Sequence, residues 1–203
     1  NGLNTCTEIS EDLIPDRGIL VFDWDNTLKL YDREKRQISS RVEKERLLRW
    51  QKEKQCEMYV ISAIYPSKIN LETLLYEVNK LGLLQLFTNE EDKVEIQAGK
   101  FARKGNIIIC GYDKAETFLN VTQTAPQAKR DSQQTTGIQL PVDFVDGDVA
   151  DGIDSHCHGY GSNDTVGFGT NINKRQVVFF DDEEVNIVNF SALVQDSKCI
   201  LVK

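Results

Sequence analysis

The chain has 203 residues, of which 40% are apolar, and this predicts one domain with a sizeable core and room for an insertion. Lys and Arg number 24 against 32 Asp and Glu, so the formal net charge is −8, which argues against a chain that coats nucleic acid or anionic lipid. No apolar run reaches about 18 residues, so the sequence predicts no membrane-spanning helix and no membrane partner.

Short apolar runs rich in β-formers alternate along the chain with stretches whose apolar residues recur at helical spacing. After a polar lead-in over residues 1–17, the first half of the chain predicts a strand at 19–22, a helix at 41–54, a strand at 58–61, a helix at 70–81 and a strand at 83–87. The second half predicts a strand at 106–110, a helix at about 114–120, a strand at 176–180, a helix near 185–193 and a strand at 199–202. This alternation predicts a single α/β domain over residues 1–203, a three-layer sandwich around a central parallel sheet.

One segment, residues 121–175, interrupts the alternation. It is rich in Gln, Thr, Ser, Asp and Gly, and between positions 131 and 173 it has seven Asp and no Lys or Arg. A structureless loop of this length is uncommon inside a compact domain, so we interpret the segment as a polar insertion with its own hairpins, a lid or a mobile loop. It contains His156, Cys157 and His158, for which a polar loop is favoured over a zinc site because three adjacent residues seldom supply a tetrahedral set of ligands.

The five cysteines are widely spaced and include no CxxC pair; they are Cys6, Cys56, Cys110, Cys157 and Cys199. A disulfide framework favours an even, dense set in a shorter chain, so this pattern predicts a reducing, intracellular compartment, cytoplasmic or nuclear. Cys110 directly follows three isoleucines, which predicts that it is a buried, small apolar residue.

Two of the predicted strands end in pairs of acidic residues. Asp23 and Asp25 follow the first predicted strand, and Asp181 and Asp182 follow the last strand but one. The carboxyl ends of adjacent parallel strands meet at one crevice, where four carboxylates stay ionised only beside a cation. Oxygen ligands in this number suit Mg²⁺, so the sequence predicts a magnesium site, with a turn or a helix cap as the alternative role for each pair.

The residues around these acids resemble three motifs of the haloacid dehalogenase (HAD) superfamily. Residues 21–28, VFDWDNTL, are similar to its first motif, an apolar run followed by D-x-D-x-T. Residues 60–62, VIS, resemble the second motif, and residues 179–186, FFDDEEVN, resemble the fourth, a strand that ends in two acids with an Asn shortly after. The resemblance covers about residues 18–120 and 174–203 without the insertion, and it implies a Rossmann-like parallel sheet.

The resemblance implies a phosphatase that hydrolyses a phosphomonoester through an aspartyl-phosphate. Asp23 would be the nucleophile, and Asp25 would protonate the leaving group and then activate water. An Asp at this second position is the phosphatase version of the motif. Thr27 and Ser62 would hydrogen-bond the transferring phosphoryl group.

The resemblance also implies how Mg²⁺ is bound. The ligands would be Asp23, the backbone carbonyl of Asp25 and one or both of Asp181 and Asp182. A cation in this place offsets the repulsion between a carboxylate nucleophile and a phosphate dianion.

The third motif of the family is a single Lys, and the sequence offers four positions for it. Lys114 follows an apolar strand and opens a helix, which is the context that the family uses, so we favour it. Lys100 and Lys104 precede that strand and are the competing positions, and Lys174 lies just before the fourth motif.

The intervals at which family members often insert a cap domain are short here. Only 30 residues separate Thr27 from Met58, and only 18 separate Phe87 from Asn106, so the chain resembles the minimal-cap type. Members without a cap tend to act on large substrates because the site stays open. The resemblance therefore implies a phosphoprotein substrate, ahead of a small metabolite or a nucleic-acid end, against which the acidic balance of the chain weighs.

The alternative class of function is a HAD-fold binding or assembly protein whose site is weak or silent. The long insertion and the biased composition are similar to those of HAD-like proteins of large DNA viruses, including one needed for baculovirus nucleocapsid assembly. The intact acidic set argues against a loss of catalysis.

Overall fold

Residues 2–124 and 175–203 are the part of the chain that the structure, a computed structural model, describes. The strands are β1 (Thr5–Cys6), β2 (Ile19–Asp23), β3 (Lys29–Asp32), β4 (Gln37–Ser40), β5 (Glu57–Ala63), β6 (Val94–Gln97), β7 (Phe101–Lys104), β8 (Ile107–Cys110), β9 (Val177–Asp181) and β10 (Lys198–Val202). The α-helices are α1 (Lys44–Lys52), α2 (Lys68–Lys80), α3 (Leu84–Phe87), α4 (Lys114–Thr124) and α5 (Glu184–Leu193). Within these two ranges, no helix has the length and apolar character needed to cross a membrane.

Eight strands form one mostly parallel sheet. Their order is β1-β10-β9-β2-β5-β8-β7-β6, and the first six are parallel to one another. The hairpin of β6 and β7 continues the sheet in the antiparallel sense beyond β8, and β3 and β4 form a separate two-stranded sheet. The predicted α/β class is confirmed, and β2 lies in the middle of the sheet between β9 and β5.

Side chains of the central strands point alternately into two hydrophobic cores. Phe22 belongs to the first core, which includes side chains of α1, α2 and α3, whereas Val21 belongs to the second, which includes side chains of α4 and α5. Phe22 stacks on Phe180 of β9 with ring centroids 5.1 Å apart. On the other face, Phe179 stacks on Phe190 of α5 at 4.0 Å. Burial on both faces explains why these strands are continuous apolar runs in the sequence.

Helix α2 begins and ends where the sequence carries capping signals. The Ser67 hydroxyl accepts a hydrogen bond from the Asn70 amide at 3.2 Å, which satisfies one of the free donors of the first turn. Gly82, with φ of +71°, follows the last turn in the left-handed conformation that glycine adopts without strain. The helix that follows β5 is fixed at both ends in this way.

Three parts of the fold differ from the sequence predictions. Residues 84–87 form helix α3, so the predicted strand at 83–87 is wrong, because a short buried apolar run fits one helical turn as well as a strand. The polar lead-in contains β1, which pairs with β10 at the edge of the sheet. The hairpins β3–β4 and β6–β7 were not predicted, and they occupy the two intervals at which a cap would be inserted.

The polar insertion lies mostly outside the described residues. Helix α4 extends to Thr124, four residues into the range assigned to the insertion. Residues 125–174, with His156, Cys157 and His158, are not among those described, so the predictions made for them stay predictions. Four cysteines are described and all four are free, and Cys110 is fully buried as predicted.

Candidate active site

The carboxyl ends of β2, β5 and β9 lie side by side and surround one cleft. Asp23 is the last residue of β2, Asp181 is the last residue of β9, and Ser62 is the last residue but one of β5. The cleft has a volume of about 170 Å³. It is lined by Asp23, Asp25, Asn26, Ser62, Ala63, Lys114, Asp182, Glu183 and Asn186. Parallel strands therefore bring to one place residues that are far apart in the sequence.

A tight turn after β2 returns Thr27 to Asp23. The Leu28 amide donates to the Asp23 carbonyl at 3.2 Å, and Asn26 has φ of +61°, a left-handed conformation that Asn tolerates better than most residues. The Thr27 hydroxyl then donates to Asp23 Oδ2 at 2.8 Å. Arg41 fixes the turn from outside, because its guanidinium donates to the Thr27 and Asn26 carbonyls at 2.7 and 3.0 Å.

Lys114, the first residue of α4, reaches between two buried carboxylates. Its Nζ lies 2.7 Å from Asp23 Oδ1 and 2.6 Å from Asp181 Oδ2, and only 4% of the residue is exposed. Helix α4 begins here because the Asp113 carboxylate accepts a hydrogen bond from the Glu116 amide at 2.9 Å. The first turn of α4, which Asp113 caps, thus directs the Lys114 ammonium toward the ends of β2 and β9.

Three carboxylates at this edge of the sheet are close enough to share one cation. Asp23, Asp181 and Asp182 each offer an oxygen, and these oxygens lie within 4.8 Å of one another. Asp181 Oδ1 accepts hydrogen bonds from the Glu183 amide at 2.8 Å and from the Asn186 side chain at 3.2 Å, which hold this side chain in place. An oxygen-only donor set of this kind fits Mg²⁺. The Asp25 carboxylate is outside the group of three.

The charges of the cleft are not balanced by its own residues. Burial raises the pKa of Asp23 to about 7, with the Lys114 ammonium opposing the rise and the Asp181 carboxylate adding to it. Burial alone would lower the pKa of Lys114, but the charges of Asp23 and Asp181 outweigh it and raise the pKa. Because Asp23 and Asp181 share one ammonium and Asp182 adds a further carboxylate, a divalent cation would offset the remaining negative charge.

Asp25 is at the mouth of the cleft and is held by a network that the sequence did not reveal. Its carboxylate is 52% exposed and lies 2.6 Å from Lys29 Nζ, which in turn lies 2.8 Å from Glu77 Oε2 on α2. Trp24 is buried and donates its indole N–H to the same Glu77 oxygen at 2.9 Å. The contact between Asp25 and Lys29 depends on the turn between β2 and β3, and the sequence indicated neither this contact nor Glu77.

Neither Lys100 nor Lys104, the described alternatives proposed from the sequence, lines the cleft. Lys100 is exposed in the turn between β6 and β7. Lys104 pairs with Ile107 at the amino end of β8, which is the opposite end of that strand from the cleft. Lys174 is outside the described residues. Of the positions that the structure describes, Lys114 is the one that contacts Asp23.

No protein-family model, curated protein or solved structure matches the chain. A functional conclusion consequently depends on the chemistry of the described residues. These supply three carboxylates, one buried ammonium and the hydroxyls of Thr27 and Ser62 at the carboxyl ends of the parallel strands.

Proposed function

We propose that the chain is a Mg²⁺-dependent phosphatase of the HAD superfamily, which hydrolyses a phosphomonoester through an aspartyl-phosphate. The observation that carries the proposal is the surroundings of Asp23: Lys114 and Thr27 contact its two oxygens, and Asp181 lies on the far side of the same ammonium. A carboxylate can attack a phosphate dianion only where positive charge and hydrogen-bond donors offset the repulsion between them.

In the first step, a carboxylate oxygen of Asp23 attacks phosphorus. The new bond joins this oxygen to phosphorus, and the bond from phosphorus to the ester oxygen breaks. Asp25, in its protonated form, gives its proton to the departing oxygen, so that the alcohol leaves neutral. Lys114 and Ser62 supply donors to the phosphoryl oxygens as they pass from the substrate to the protein, and the Thr27 hydroxyl, which was expected to do the same, instead holds the second oxygen of Asp23 in place.

In the second step, water releases the phosphate. Asp25, now a carboxylate at the mouth of the cleft, takes a proton from the water as the water oxygen attacks phosphorus. The bond from phosphorus to Asp23 breaks, inorganic phosphate leaves, and Asp23 returns to its starting state. The half-exposed position of Asp25 suits this exchange, because both the alcohol and the water pass through the open mouth.

Asp23, Asp181 and Asp182 would hold Mg²⁺, with the backbone carbonyl of Asp25 as a further ligand. When bound, the ion supplies positive charge that stabilises the phosphoryl oxygens. The donor set fits the ion, since it consists of oxygens and three of its members lie within 4.8 Å of one another.

Removal of divalent cations is expected to abolish hydrolysis of para-nitrophenyl phosphate. Because a metal ion contributes several kcal/mol to such a transition state, kcat/KM is expected to fall by at least about a hundredfold in EDTA and to return with excess Mg²⁺. Release of nitrophenol measures the effect, and metal analysis of the treated protein verifies that the cation has been removed. Undiminished activity of the metal-free protein would contradict the Mg²⁺ assignment, and the absence of hydrolysis with any divalent cation would contradict the proposed function.

Lys29→Met is expected to impair substrates with poor leaving groups selectively. Without the Lys29 ammonium, the Asp25 carboxylate loses its contact and its fixed position, and proton donation matters most when the leaving oxygen is basic. We expect kcat/KM for an alkyl phosphate to fall by at least about fivefold more than kcat/KM for para-nitrophenyl phosphate.

The matched control is Lys68→Met, which breaks an exposed 3.8 Å pair with Glu72 on the helix that carries Glu77. Lys29→Arg should recover part of the kcat/KM for the alkyl phosphate that Lys29→Met loses, because it restores a cation beside Asp25. An equal loss on both substrates would show that Lys29 acts on the fold rather than on Asp25.

A further inference from the structure

A second cavity is lined by residues that are close along the chain to two of those that line the cleft. Ser62, at the end of β5, lines the cleft, and Tyr65, in the loop after β5, lines the second cavity. Tyr112, in the loop after β8, lines the second cavity, and Lys114, where α4 begins after that loop, lines the cleft. This cavity, the tyrosine groove, has a volume of about 780 Å³. A substrate whose phosphate lies in the cleft would therefore extend along the groove.

Both tyrosines are exposed although the loops that carry them are fixed. The Tyr65 carbonyl accepts hydrogen bonds from the Ser67 amide at 2.8 Å and from the Asn70 side chain at 2.9 Å. Tyr112 precedes Asp113, whose carboxylate caps α4. The exposed fractions of Tyr65 and Tyr112 are 70% and 98%, so neither ring contributes much to the core. Large rings on fixed backbone bind a ligand at little cost in conformational entropy.

The third wall of the groove is the β6–β7 hairpin at the edge of the sheet. Phe101 of β7 pairs with Cys110 of β8, so the turn of the hairpin is at the same end of the sheet as the cleft. Glu95 and Gln97 of β6 line the groove. Within the part of the chain that the structure describes, β6 has a paired strand on one side only, so its outer backbone groups are available to an extended chain.

The charged side chains of the groove disfavour a polyanion. Glu95, Asp113 and Glu116 line it, against one lysine, Lys100. Glu95 is partly neutralised by Arg103 at 2.9 Å. A nucleic-acid strand would bring further phosphates beside the remaining carboxylates, whereas a polypeptide can place neutral or basic side chains there.

We propose that the tyrosine groove binds the polypeptide on one side of a phosphorylated residue, and that acidic residues on that side are rejected. This inference rests on the proposed function, because the phosphorylated residue itself must lie in the cleft. The ring faces of Tyr65 and Tyr112 pack against the peptide, and the outer edge of β6 pairs with its backbone. The carboxylates of Asp113 and Glu116 discriminate against acidic flanking residues.

The test compares two phosphoserine peptides that differ only in having Ala or Glu on both sides of the phosphoserine. Free phosphoserine, para-nitrophenyl phosphate and an oligonucleotide with a terminal phosphate are the reference substrates. For the native chain, kcat/KM should be highest for the Ala peptide, by at least about tenfold over the Glu peptide and over free phosphoserine. Tyr112→Ala should lower the ratio of kcat/KM for the Ala peptide to that for para-nitrophenyl phosphate by roughly three- to tenfold.

Tyr76→Ala is the matched control, since Tyr76 is an exposed tyrosine of α2 that does not line the groove, and it should leave this ratio unchanged. Equal kcat/KM for the two peptides and free phosphoserine, or a preference for the oligonucleotide, would overturn the groove assignment while the phosphatase proposal stands. If no substrate is hydrolysed, fluorescence anisotropy of the labelled Ala peptide tests the groove separately. Binding that Tyr112→Ala weakens would support the groove although the phosphatase proposal has failed. Absence of binding would overturn both proposals.

Discussion

Asp23→Asn is expected to lower kcat for any phosphomonoester that the chain hydrolyses by at least about a thousandfold, because the amide cannot form an aspartyl-phosphate. Asn has nearly the same shape as Asp, and its carbonyl oxygen can still accept the Thr27 hydrogen bond. Nitrophenol release and transfer of phosphate to the protein both report the first step, and release of inorganic phosphate reports the second. The matched control is Asp16→Asn at an exposed position before β2, which should retain full activity.

We also expect Asp23→Asn to change the stability of the protein in a pH-dependent way, which separates a chemical role of Asp23 from a structural one. In the metal-free native state the pKa of Asp23 is raised from 3.8 to about 7 by burial, opposed by Lys114 and increased by Asp181. Between these values the native state holds a proton that the unfolded state has released. The contribution of Asp23 to the free energy of unfolding therefore falls as the pH rises from about 4 to about 7.

Asp23→Asn has no carboxyl group to ionise, so its free energy of unfolding does not include this fall with rising pH. In EDTA the variant should therefore be more stable than the native chain at about pH 8, with a smaller difference near pH 5. Urea unfolding at the two pH values measures the difference. Retained phosphatase activity would exclude Asp23 as the nucleophile, whatever the stability result. A variant that is inactive because it is unfolded would be recognised in the same urea series.

The position of the acidic residues could be predicted from the sequence because it follows from local order along the chain. Asp23 and Asp181 each end an apolar run, and in a parallel sheet such runs place their last residues at one edge. Lys114 could be favoured over the other lysines because it begins a predicted helix soon after another apolar run. These inferences need only strand direction and adjacency, which the alternation of strands and helices supplies.

The supporting network could not be predicted because it depends on packing between distant elements. Glu77 reaches Lys29 and Trp24 only because α2 packs on the same face of the sheet as the turn after β2. Similarly, all four residues of β6 are exposed, and their apolar–polar alternation, VEIQ, is too short to have identified an edge strand. A short run such as residues 84–87 carries too little periodicity to separate helix from strand.

Lys114→Met is expected to destabilise the metal-free protein by about 3–5 kcal/mol, because it leaves Asp23 and Asp181 buried without their shared cation. Met has a similar length and fills the same space, so the loss is electrostatic. Lys68→Met removes an exposed ammonium whose pair with Glu72 is worth less than about 0.5 kcal/mol, and it is the control. Urea unfolding in EDTA measures the two changes.

Mg²⁺ should compensate part of this loss. Without Lys114 the three carboxylates attract a cation more strongly, and a ligand that binds only the native state stabilises it in proportion to its affinity. The increase in Tm on adding Mg²⁺ should therefore be larger for Lys114→Met than for the native chain. Combining Lys114→Met with Asp181→Asn should recover stability in EDTA, since one of the two unpaired charges is then absent.

Catalysis by Lys114→Met should remain low even when Mg²⁺ has restored the fold. The cation can replace the ammonium as a countercharge to the buried carboxylates, but it cannot replace its N–H donors to the phosphoryl oxygens. We expect kcat to stay at least about a hundredfold below that of the native chain at saturating Mg²⁺. A loss of stability no greater than that of Lys68→Met would contradict the buried ion pair, and full activity at saturating Mg²⁺ would restrict Lys114 to a structural role.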